Sequence, residues 1–371
     1  AMAAIRDRGL PPPKADDLAV ALSAMPALCQ RFGLVPPAGP IDPRDRPRLA
    51  LSVSALTRFL EDPLQGWAGV VIGLSQDDDE DASAAAVEDE PFTSERREVL
   101  PMIRRVFAEV MAADVPGGLP VLIARYREEA HRMMLAGTAP AGAFAEAERD
   151  HHERWLGCWH AGVSGRGRLR SVRFGAGAEA LCLDVPLAAG AAGTPVEITG
   201  DAGLVIEGVG PVVLHHRPDI APRIRLGVLA RHAILAAAGI LADLEVTGLI
   251  IADGGVKKLV VAPWSRDEAR DYLTTIAGEL FGGAHAYILP GDKALDWLVA
   301  THKHANPAPA KKRAAKRPAA KKPIAPLSDK IRADKYKPFG PIDRFSDLDV
   351  PDDAEDIAFR RLDPLARRWR S

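Results

Sequence analysis

Cysteine is nearly missing from this chain, whose 371 residues hold only Cys29, Cys158 and Cys182. An odd number so widely separated argues against a disulfide framework and for a reducing compartment, so the expected location is the cytoplasm. Uninterrupted apolar runs are also missing. The longest, Leu226 to Leu244, is broken by Arg231 and His232, where a bilayer would penalise them most, so it predicts a buried helix and no membrane span. No glycine-rich turn closes on Lys-Ser or Lys-Thr, and no serine stands in a Gly-x-Ser-x-Gly pattern. These two absences argue against ATP hydrolysis and against a serine-hydrolase elbow. Aromatic residues make up 5% of the chain, but 47% is hydrophobic in total, so a sizeable core is within reach and the length suggests two or three units.

The formal charge of -2 conceals a segregation, with acids concentrated from Asp77 to Glu90 and bases from Lys311 to Lys322. Residues 1–48 read as a proline-rich linker with one docking helix, Asp16 to Phe32, between Pro11-Pro12-Pro13 and Pro36-Pro37. Ser52 and Ser54 precede a helical run from Ala55 to Leu60 that Pro63 ends. The stretch 75–90 is acidic and poor in apolar residues, which predicts a flexible loop. Three helices are expected next, Ser94 to Met111, Leu119 to Leu135 and Ala143 to His160.

Beyond Gly162 the apolar period shortens to that of strands. Arg168 to Phe174, Ala180 to Val185, Val196 to Thr199, Gly203 to Glu207 and Val212 to His215 are the candidates. A helix from Arg225 to Leu241 follows, then strands Val246 to Ala252 and Lys258 to Val261 around the turn Asp253-Gly254-Gly255, and a helix capped by Ser265. This order predicts an α/β (α+β) core, a central mixed sheet flanked by helices with a helical N-terminal part. Residues 301–326 form a disordered linker rich in lysine, proline and alanine, and 327–371 a tail with a short docking helix around Ile357, Phe359, Leu362 and Leu365.

Three constellations bear on chemistry. His151, His152, Cys158 and His160 crowd one helix, but their spacing beside Trp155, Leu156 and Trp159 reads as a core seam, and no second cluster offers further zinc ligands. No metal and no cofactor is expected. A magnesium nuclease needs two acids and a lysine at the end of a bent hairpin. Asp201 can supply the first acid, but the next strand, Val212-Val213-Leu214-His215-His216-Arg217, carries neither a second acid nor a lysine. The third is basic: Lys311, Lys312, Arg313, Lys316, Arg317, Lys321 and Lys322 can neutralise DNA phosphates without reading sequence, and equally suit a solubilising linker.

Four stretches, taken in order, resemble the C-terminal domain of the RecC-like gamma subunit of exodeoxyribonuclease V. They are Leu51 to Pro63, a serine-led helix closing on proline; Asp89-Glu90-Pro91-Phe92 after its acids; Ala139 to Phe144 with Glu146 and Glu148; and Leu226 to Ala238 around Arg231-His232-Ala233. Asp267-Glu268-Ala269-Arg270 and Ala286 to Pro290 continue the order, so the likeness spans 49–300, with an echo in Tyr336 to Gly340 and Phe359 to Leu365. The basic segment departs from the family. The resemblance implies a restriction-endonuclease-like, PD-(D/E)xK-type fold without its catalytic residues. It also implies a non-catalytic DNA-handling and scaffold role in double-strand break repair, with duplex ends, single strands and RecB-like and RecD-like subunits as partners. Two other readings stay open: a divergent magnesium-dependent nuclease using Asp201 with Glu207, Asp219 or His215, and a chromatin-like binder acting through the lysine-rich segment.

Overall fold

The computed structural model describes residues 49–72, 92–113, 118–175, 177–187, 193–218, 221–282, 289–305, 325–332 and 353–370. The docking helix at 16–32, the acidic loop 75–90, Asp219 and the basic segment lie outside these residues. All described elements belong to one compact unit, Arg48–Ser371.

The unit opens with a short strand, β1 (Leu49–Ser52), which runs directly into α1 (Val53–Glu61). Ser52 ends the strand and starts the helix, its hydroxyl accepting from the Ala55 amide at 3.0 Å. Pro63 ends α1 and, as the first residue of α2 (Pro63–Trp67), also opens the next helix, capped by Asp62. A π-helical turn follows. The three expected helices are α3 (Arg96–Ala112), α4 (Gly118–Leu135) and α5 (Gly142–Val163). After them come β2 (Leu169–Phe174), β3 (Leu181–Val185), β4 (Thr194–Ile206) and β5 (Gly210–Leu214). Then α6 (Pro222–Ala237), β6 (Val246–Ala252), β7 (Gly255–Val261), α7 (Arg266–Phe281), α8 (Gly291–Ala305), α9 (Leu327–Arg332), α10 (Ala354–Ala366) and β8 (Trp369–Arg370) complete the order.

The protein is mixed α/β, with an eight-stranded mixed sheet among the described residues. β4 organises it. Its first half lies between β1, parallel, and β3, antiparallel, while its second half lies between β2 and β5, both antiparallel. The sequence suggests two strands here, Val196 to Thr199 and Gly203 to Glu207, but a single strand of 13 residues runs through. Gly200 (φ 100°) and Gly203 (φ 95°) take up the bend in a backbone region that side chains disfavour, so direction changes without breaking the strand. Beyond β5, α6 crosses to β6, which pairs parallel to β5, and β7 and β8 close the order.

Alternation along the strands separates two cores. Val196, Ile198 and Val205 of β4 and Val246 and Ile250 of β6 join a cluster with α1, α6, α7, α8 and α10. Leu204 and Ile206 of β4 and Leu249 and Ile251 of β6 join the other, with α3, α4 and α5. Helices therefore cover both faces of the sheet, and β6, buried on both, is almost continuously apolar. The apolar run from Leu226 is the buried helix α6, and no described helix is long and apolar enough to cross a membrane. The apolar face of α10, with Ile357, Ala358, Leu362 and Leu365, is part of the first core.

Candidate functional site

The bend in β4 leaves a gap in the hydrogen-bond ladder. Pairing between β4 and β5 runs from Ile206 with Gly210 to Leu204 with Val212. β5 continues beside β6, the His215 amide donating to the Ile251 carbonyl at 2.8 Å. The Leu214 carbonyl, alternating to the side from which β4 has withdrawn, accepts from Arg104 Nη2 of α3 at 3.1 Å. The next carbonyl, that of His215, accepts from Trp159 Nε1 of α5 at 3.0 Å. Two helices thus satisfy backbone acceptors that buried sheet would otherwise pair.

Asp201 stands at this bend, exposed. Its Oδ1 accepts from the Gly203 amide at 2.8 Å, a local turn bond, and it is in register with Arg173 of β2. Arg231 of α6 lies over Gly203, with Nη1 3.4 Å from where a side chain's Cβ would stand, so the missing side chain makes room for the guanidinium. Burial pushes Arg231 below its usual pKa, and the charges of Asp201 and Glu61 work the other way. Glu61, at the end of α1, is itself raised by burial, with Arg223 opposing and Asp292 adding to the rise. Loss of hydration, then the charge of Arg231, lowers Arg104. The centre therefore gathers cations from α3 and α6 around one exposed carboxylate.

The histidines singled out in the sequence do not converge. His152 is buried, with Nδ1 2.8 Å from the Tyr126 hydroxyl, and burial pushes its pKa down to about 4. His151 meets Trp155 edge-on, centroids 4.4 Å apart, Cys158 Sγ faces Asp253 Oδ1 at 4.0 Å, and His160 lies beside Ser164. Trp155 also meets His216, which meets His215, so the rings form a packed seam between α5 and the residues that follow β5. Among the described residues, no group of three or more His, Cys, Asp or Glu side chains could hold a metal ion.

Of the other sequence candidates, Glu207 follows β4 and lies 3.9 Å from Arg170. Asp219 and the basic set Lys311, Lys312, Arg313, Lys316, Arg317, Lys321 and Lys322 fall outside the described residues. Sequence spacing gives no site role to Arg104, Arg231 or Glu61, and reads Trp159 only as part of a core seam, because only the sheet's bend brings them to one place. The arginines recurring at Arg166, Arg168, Arg170 and Arg173 are a visible signal in the sequence, within a stretch whose alternation by itself says only strand. Comparison with known protein families finds no family model that matches the chain, and comparison with curated proteins finds no match.

Proposed function

We propose that this chain is a non-catalytic DNA-handling and scaffold domain, a degenerate restriction-endonuclease-like fold of the RecC-like type, acting with RecB-like and RecD-like subunits in double-strand break repair. The element order supports the fold: a bent hairpin β4–β5, then α6, then β6 parallel to β5, as a nuclease-type core needs to bring the ends of two neighbouring strands together. One observation carries the functional reading. Where such a core would hold magnesium, Asp201 spends one oxygen on the Gly203 amide and has the guanidinium of Arg231 near it. Beyond the gap β5 offers Val213 and Leu214, with His215 just past its end.

Magnesium demands hard oxygen ligands at short, near-octahedral distances. These residues do not fit it: Asp201 is the one exposed carboxylate, Glu61 already faces the charges of Arg223 and Arg231, the facing strand offers aliphatics and an imidazole, and a nearby guanidinium repels the ion. A cationic centre of this kind suits phosphate oxygens better than a metal. The test is digestion of linear duplex DNA by the whole chain in magnesium or manganese. The expected outcome is no digestion, with Asp201→Ala indistinguishable from the parent. Metal-dependent cleavage that disappears in Asp201→Ala would instead establish the divergent nuclease. Co-purification with helicase-type subunits, expected here, tests the scaffold part separately.

A further inference from the structure

We propose that the outer edge of β2 is a contact for the phosphate backbone of duplex DNA, made by Arg168, Arg170 and Arg173. The inference rests on the DNA-handling reading and assigns that role a surface. Among the described residues β2 pairs with β4 alone, so its other edge is open. The ladder extends one residue before the strand, because the Arg168 carbonyl accepts from the Glu207 amide at 3.0 Å. All three arginines are exposed. Alternation sends Arg168 and Arg170 to one face and Arg173 to the other, so the guanidiniums straddle the edge. From the first to the last the strand covers roughly 17 Å, about half a turn of B-DNA.

Their charge is largely uncommitted. Among the described residues, no carboxylate lies within 4.0 Å of Arg168 or Arg173, and Arg170 reaches Glu207 only at 3.9 Å with both side chains about half exposed, a geometry worth little in water. Asp201, in register with Arg173, already accepts from the Gly203 amide. Some arginines elsewhere on the surface are engaged, Arg127 with Glu153 through two bonds of 2.7 and 2.9 Å and Arg370 with Glu245 at 2.6 Å, while others, such as Arg154 and Arg266, are exposed like those of β2. What sets the three on β2 apart is that they stand together along one strand edge. The edge strand offers no aromatic platform either, since Phe174 is buried. Single-strand binding surfaces pair cations with exposed rings for base stacking. Cations without rings favour the duplex backbone, which carries a dense and regular row of charges. Charged side chains on an open edge also discourage strand addition by a second molecule, and this competing role needs no DNA.

The experiment titrates a short mixed-sequence duplex with the whole chain, including its lysine-rich segment, across a range of salt. Replacing all three arginines (R168Q/R170Q/R173Q) is expected to flatten the slope of log K against log salt by about 2.7, at about 0.9 for each phosphate left without its cation. R168K/R170K/R173K is expected to keep most of that slope, and R168Q alone to remove about 0.9. Parental affinity and slope in the triple glutamine variant would overturn the edge contact while leaving DNA handling intact. If that variant also self-associates on gel filtration, the arginines guard the edge. Failure of the parent chain to bind duplex at all would sink the DNA-handling reading, and this inference with it.

Discussion

Trp159 shows how one side chain joins a core to the candidate site. Its ring is fully buried and packs edge-to-face on Phe107, centroids 5.7 Å apart, while its indole N–H reaches the His215 carbonyl at the end of β5. Packing and polar satisfaction can be separated. Trp159→Phe keeps most of the ring surface but removes the donor, so it is expected to cost about 1–3 kcal/mol from the stranded acceptor and the space left by the smaller ring. Denaturant unfolding measures this directly. A loss under about 0.5 kcal/mol would mean that the His215 carbonyl finds another donor once the indole is gone. Asp201 is the contrasting case: exposed, among the described residues bonded to its own turn alone, and expected to be replaceable by Asn with little effect on stability.

At the scale of elements, α10 depends on a buried charge. Arg361 has 2% of its side chain exposed, its Nε bonds to Glu279 of α7, and its guanidinium lies 4.9 Å from the Phe59 ring of α1. Arg360 bonds to the same carboxylate. Glu279→Ala takes from the buried Arg361 guanidinium the carboxylate that its Nε bonds to, a change expected to cost up to about 3–5 kcal/mol, read as a lower denaturant midpoint. An effect below about 1 kcal/mol would show that other neighbours already satisfy the cation.

Elements that announce themselves locally were legible in the sequence. Ser265 forms a full capping box with Glu268, and Asp253-Gly254-Gly255 marks the turn between β6 and β7 as expected. What escaped was set by partners distant in the chain. β1 is four residues long and exists because β4 lies beside it, in parallel. β4 reads as two strands because its glycines look like breaks until two neighbours hold each half. For the site, the missing acid and lysine on β5 were legible. Arg231 was not, because its significance comes from lying over Gly203, a contact that no spacing encodes.

At the scale of the whole molecule, each of the two cores contains one deeply buried imidazole, and this makes stability depend on pH. His152 lies against the helical layer of α4 and α5, and His232 of α6 is fully buried on the other side, neither of its ring nitrogens in a well-formed hydrogen bond. Burial pushes both pKa values down from 6.5 to about 4, and at His232 the charge of Arg368 adds to the fall while the Leu241 backbone opposes it. The folded protein thus keeps both rings neutral where the unfolded chain would protonate them. Their contribution is complete above pH 6.5, falls as pH drops, and is lost by about pH 4, at up to about 3 kcal/mol for each ring. Glu61 opposes this, since its raised pKa makes the folded state take up a proton more readily than the unfolded chain. His232→Leu is the sharper test, because it removes a poorly satisfied ring and replaces it with an apolar side chain of similar bulk. Chemical denaturation across this pH range should show the variant at least as stable as the parent near neutrality and less acid-sensitive by about half. An unchanged pH slope would place the acid sensitivity in His152 and the carboxylates instead.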